Sequence, residues 1–164
     1  MVLSRILYSE VNLFSSVIIA LISYRIYKDS NFSKQKNALM INLFAILTFI
    51  FDSLVNYFEG SLSSSNYYII NILYFLSLAG TSLFWLLYVE SELPIGKNYN
   101  LRQIIYFVLT IIYFLIVVTD PLTHLVFYVD EIGYYQQSRL WFMEFIGPYI
   151  FMSISFLRAI VYSR

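Results

Sequence analysis

The sequence predicts an all-α integral membrane protein. The expected architecture is a bundle of five transmembrane helices, N-terminus outside and C-terminus inside, with a short external β-hairpin between helices 4 and 5. Three observations predict it. Five long apolar stretches occur, at Tyr8–Tyr27, Ala38–Phe58, Tyr68–Tyr88, Ile104–Val118 and Leu140–Leu157. Only 12% of residues are charged while 60% are hydrophobic, against about 25% charged in a soluble domain. Eight of the ten Lys and Arg residues fall on one side of the alternating stretches.

A helix needs about 20 mostly apolar residues to cross the hydrocarbon core. The first three stretches reach that length and the last two come close. Lipid offers no partner to a bare N–H or C=O, so each stretch is expected to be helical. The first stretch holds Glu10 and Asn12, and no small-residue cleavage site follows it, which reads as a retained helix rather than a signal peptide.

Residues 28–37 make a polar turn rich in Lys, and residues 59–67 a small loop with no positive charge. Residues 89–103 contain Pro94 and Gly96, which break a helix. The segment Thr119–Arg139 is long for a connection in a compact domain. Within it, His124–Val129 is β-prone, Asp130–Gly133 reads as a turn and Tyr134–Gln137 can return, which predicts the hairpin. Pro121 is expected to stop the fourth helix just before Asp120. Phe127, Tyr128, Tyr134 and Tyr135 would then lie across the bundle mouth, with Arg139 available to Asp120, Asp130 or Glu144.

Lys and Arg set the orientation. Arg25, Lys28, Lys34, Lys36, Lys97, Arg102, Arg158 and Arg164 lie on one side, and Arg5 and Arg139 on the other. The positive side is expected to be cytoplasmic. Glu10, Asn12, Asp52, Asn56, Asn71 and Glu144 then fall in the outer half of the membrane, with Asn42 the exception. A charge in hydrocarbon costs at least a few kcal/mol, so such groups are site candidates. Asp52, Asn56 and Glu59 share a helix face. Pro148 crowds the carbonyl four residues earlier, that of Glu144, and Gly147 leaves room beside it.

The candidate ligand-binding residues are therefore Asp52, Asn56, Asn71, His124, Arg139 and Glu144. They either line a cavity open to the outside or serve as interhelical glue. Ser77, Ala79, Gly80, Thr81 and Ser82 give the third helix a small face suited to close packing. No catalytic set is expected: G-x-S-x-G does not occur, cysteine is absent and there is one histidine. That composition leaves no metal or cofactor to expect, and zero net charge gives no reason to expect nucleic acid.

The run Thr119–Glu131, with Tyr134 and Arg139 beyond it, resembles a segment of N-terminal membrane sensor modules from Gram-positive bacteria. These modules precede diguanylate cyclase (GGDEF) or histidine kinase domains. Tyr88–Pro94 resembles their cytoplasmic turn, and the likeness covers roughly residues 85–145. It departs from the pattern at Asp120, where Asn is expected, and at Leu140, where Gly is expected. The resemblance implies a non-enzymatic sensor of the bacterial cell membrane. It would form one domain over residues 1–164, as a piece of a longer receptor or a stand-alone relative. The partners expected are the lipid bilayer, a small ligand, a cytoplasmic cyclase or kinase domain and, as an option, a second copy of the chain. The alternative is a small transporter subunit or substrate-capturing component, which would need a polar path through the inner half.

Overall fold

A computed structural model describes residues 2–29, 32–93 and 99–162. Five helices follow in order: α1 (Val2–Asp29), α2 (Phe32–Phe58), α3 (Ser64–Glu92), α4 (Tyr99–Thr123) and α5 (Met143–Tyr162). All five are long and apolar enough to cross a membrane, including the two whose apolar stretches looked short. The chain thus reads as a multi-pass membrane protein. The expected breakers Pro94 and Gly96, and the end residue Arg164, lie outside the described residues.

Strands β1 (Phe127–Val129) and β2 (Tyr135–Gln137) form the expected antiparallel hairpin, pairing Phe127 with Gln137 and Val129 with Tyr135. The hairpin, the α2–α3 loop, and the α4 and α5 ends that flank it all lie at one end of the bundle, here called the hairpin end.

α3 is the central helix, packing on α2, α4, α5 and β1, while α1, among the described residues, packs on α2. The small face of α3 is used for this approach. A Cβ at Gly80 would collide with the Phe44 ring of α2, and the rings of Phe44 and Phe84 stack at 5.4 Å. α1 is built inside out by the standards of a soluble helix. Ser9, Asn12 and Ser16, on one helical stripe, are buried, while Val11, Phe14, Val17 and Leu21 are exposed. Water penalises such a surface, whereas hydrocarbon accepts it.

Two expectations about the long connection are corrected. Pro121 does not end α4, which continues to Thr123. A proline removes only its own N–H, and the turn closes over it through His124 N–H donating to the Asp120 carbonyl at 2.7 Å. The helix ends instead at Thr123, and His124 beyond it is held at φ 49°, the left-handed conformation common just past a helix. Arg139 is exposed and, among the described residues, forms no ion pair with Asp120, Asp130 or Glu144. Asp120 is occupied otherwise: its two carboxyl oxygens accept the N–H groups of Val126 and Phe127, at 2.8 and 3.0 Å.

Those bonds seat the hairpin. Phe127 is fully buried, with ring centroids of Tyr68, Phe75 and Tyr135 5.2, 5.6 and 5.5 Å away. Tyr128 and Tyr134 are exposed, so only half of the expected aromatic set turns inward, as strand alternation requires. The far tip is fixed to the α2–α3 loop. Gly60, at φ 74°, donates its N–H to the carbonyl of Gly133, itself at φ 89°. Ser64 donates to the Asp130 carbonyl at 2.9 Å.

Candidate functional site

Beneath the hairpin lies a cavity of about 280 Å³ between α2, α3, β2 and the first turn of α5. Strand alternation brings Tyr135 and Gln137 into its lining and turns Gln136 away. α2 contributes Asn56, the turn just past it contributes Glu59, and α3 contributes Tyr67, Asn71, Tyr74 and Phe75. α5 contributes Glu144 and Phe145. The lining of the cavity thus combines polar and aromatic side chains.

The structure divides the six candidate residues into two groups. Asn56, Asn71 and Glu144 line the cavity; Asp52, His124 and Arg139 do not. Asp52 accepts hydrogen bonds from Asn12 Nδ2 at 2.7 Å and Asn56 Nδ2 at 3.2 Å. It joins α1 to α2 and orients Asn56 at the cavity edge. The neighbouring serines do similar work: Ser53 Oγ donates to the Ser9 carbonyl at 3.1 Å. His124 Nδ1 meets the Tyr68 hydroxyl at 2.8 Å, and the same hydroxyl accepts the Val129 N–H at 3.0 Å. That histidine fastens the hairpin to α3.

Glu144 is only 3% exposed. It accepts a hydrogen bond from the Tyr135 hydroxyl. Burial, and then this carboxyl, push the Tyr135 phenol well above its usual range. The carbonyl of Glu144, freed by Pro148, is met by the Tyr113 hydroxyl at 2.8 Å. The Tyr113 ring fills the space at Gly147, where a Cβ would approach it to 2.7 Å. The proline, the glycine and the tyrosine therefore form one packing unit. At the hairpin turn, Asp130 accepts N–H groups from Tyr134 at 2.8 Å and Ile132 at 3.1 Å. These, the Tyr134 bond foremost, hold its carboxyl below the usual range.

A second buried polar group lies at the opposite end and was not expected from the sequence. Glu90 is 2% exposed. It pairs with Arg158 Nε of α5 at 2.7 Å and Arg102 Nη2 of α4 at 3.1 Å. Tyr106 Oη adds a longer bond at 3.3 Å. Glu90 continues the stripe of buried residues Leu83, Leu86 and Leu87, a signal present in the sequence but hidden inside a segment that read as a loop. Asn71 and Glu90 stand on the same helix, about 28 Å apart at roughly 1.5 Å rise per residue.

Among the described residues, no group of three or more His, Cys, Asp or Glu could hold a metal ion. Comparison with protein-family models, curated proteins and solved structures gave no match to this chain. The functional reading therefore rests on the geometry of the two polar sites.

Proposed function

We propose that this chain is a membrane-embedded sensor module of a bacterial cell membrane. It detects an external or membrane-borne ligand at the hairpin end and drives a cytoplasmic output domain of the diguanylate cyclase or histidine kinase type. The observation that carries the reading is the polar cavity of about 280 Å³ roofed by an anchored hairpin. The N-out, C-in orientation, supported by the Lys and Arg distribution, makes that cavity external. Glu90 then lies at the cytoplasmic end, where it ties the exits of α3, α4 and α5 together. A ligand that binds one helix arrangement better than another would move those exits through α3 and α5, which touch both sites.

A transporter would need the polar path to continue. Leu83, Leu86, Leu87 and Phe151 instead form a buried apolar cluster between the two sites, which favours sensing over passage.

The absence of cysteine gives a clean test. Cysteines at Glu59 and Gln137, which line the cavity together, are bridged by a short bifunctional thiol reagent. Spin labels introduced at Leu101 and Ala159 after bridging report the opposite end. Sensing predicts that the bridge changes the distance distribution between them. An unchanged distribution in a folded, fully bridged protein would sink the coupling and leave the hairpin as a cover only.

A further inference from the structure

Two carboxyl groups, those of Glu59 and Glu144, line the cavity. Asn71 Nδ2 donates to the Tyr67 carbonyl at 2.9 Å. Asn56 Nδ2 donates to the Asp52 carbonyl at 2.8 Å and to Asp52 Oδ1. A carbonyl or carboxylate oxygen can only accept, so both amide orientations are fixed by their partners. Each amide keeps its Oδ1 as an acceptor, and Asn71 Nδ2 keeps one N–H. Asn71 is 2% exposed and Glu144 3%. Among the described residues none donates to Asn71 Oδ1 or to Glu144 Oε2, since the Tyr135 hydroxyl uses Oε1. Both residues line the cavity beside neutral donors, the Gln137 amide and tyrosine hydroxyls, and among the described residues no Lys, Arg or His lines it with them. The walls, Tyr67, Tyr74, Phe75 and Phe145, present aromatic rings.

Acceptors that face the cavity without a protein donor suit a ligand that brings donors, and carboxyl groups beside aromatic rings with no cation in the lining suit positive charge. We infer that the cavity binds a primary ammonium group, donating to Asn71 Oδ1 and Glu144 Oε2 while its charge faces the ring walls. This rests on reading the cavity as the ligand site. A free small amine and the ethanolamine headgroup of a phospholipid share this chemistry.

The test uses the full chain in two settings. In micelles free of amino lipids, ethanolamine is titrated and binding followed by calorimetry. In nanodiscs, phosphatidylethanolamine is compared with phosphatidylcholine by native mass spectrometry. Saturable ethanolamine binding in micelles identifies a free amine, and retention only of phosphatidylethanolamine identifies the headgroup. Either result supports the ammonium site. Glu144→Gln keeps the size and an acceptor for Tyr135 but removes the charge. It should weaken binding by roughly tenfold or more, the loss of a charge-assisted hydrogen bond. Should that variant misfold, Asn71→Leu carries the same expectation, while Leu101→Ala at the opposite end should bind as the parent does. Tetramethylammonium, charged but without N–H donors, should bind more weakly than ethanolamine. The inference is overturned if the folded parent binds neither probe, if Glu144→Gln and Asn71→Leu bind unchanged, or if tetramethylammonium binds equally well. Failure here with an intact response in the bridged-cavity experiment removes the amine and keeps the sensor. Binding without that response does the reverse.

Discussion

Asp120→Asn should release the hairpin while leaving the five helices in place. Asp120 is fully buried, and its two oxygens accept the N–H groups of Val126 and Phe127 at 2.8 and 3.0 Å. Asparagine keeps the volume but offers one oxygen and one NH2. One backbone N–H therefore keeps its acceptor without the charge, and the other faces a donor. A buried donor left without a partner costs about 1–3 kcal/mol, and a bond to a charged group contributes about 1.5–3. A loss of about 2–4 kcal/mol for the seat of the hairpin follows, allowing for partial relaxation. At about 1.4 kcal/mol per decade, amide exchange at residues 126–129 should accelerate roughly 30- to 1,000-fold by local opening. Exchange in the middle of α3 should not change. Mass spectrometry of the exchanged protein resolves these segments. Acceleration below about threefold at 126–129 would refute the claim that Asp120 anchors the hairpin, because two lost or weakened bonds cannot be that cheap.

Tyr113→Phe removes the donor that satisfies the Glu144 carbonyl, so thermal stability should fall by about 1–3 kcal/mol, read as a lower melting temperature in micelles. Glu90→Gln leaves Arg102 and Arg158 without their shared carboxylate. It should destabilise by up to about 3 kcal/mol, and adding Arg158→Gln should recover part of that in a double-mutant cycle. The depressed Asp130 carboxyl means that its contribution to the hairpin turn is present above the unfolded value of about 3.9 and is lost as pH falls through the lower folded value. Exchange-corrected protection of Ile132–Tyr134 should therefore be flat from neutral pH to about 5, then drop in acid, and Asp130→Asn should abolish the drop.

The helices were legible because a bilayer span leaves a length-and-polarity signature that needs no tertiary knowledge. The hairpin was legible for a local reason too: the β-prone run His124–Val129 and the Asp130–Gly133 turn contain their own instructions. What escaped notice were contacts joining distant positions. The rule that a residue before proline avoids the α region was outweighed at Asp120, whose side chain is held by Val126 and Phe127. Glu90 sat among charges in a segment read as a loop, and one of its partners is 68 residues away. Asp52 and Asn56 share a helix face in sequence and remain bonded in space, yet only Asn56 borders the cavity. Spacing fixes the face of a helix, but which neighbour meets that face is decided by packing.

The central claim is that the polar cavity opens to the outside of the cell at the hairpin end. Single cysteines at Asn56, Glu59 and Ala159, in this cysteine-free chain, are treated on intact cells with a membrane-impermeant maleimide. Positions 56 and 59 should be labelled in intact cells, and position 159 only after permeabilisation. Labelling of 159 in intact cells, or protection of 56 and 59 until the membrane is opened, would contradict the account.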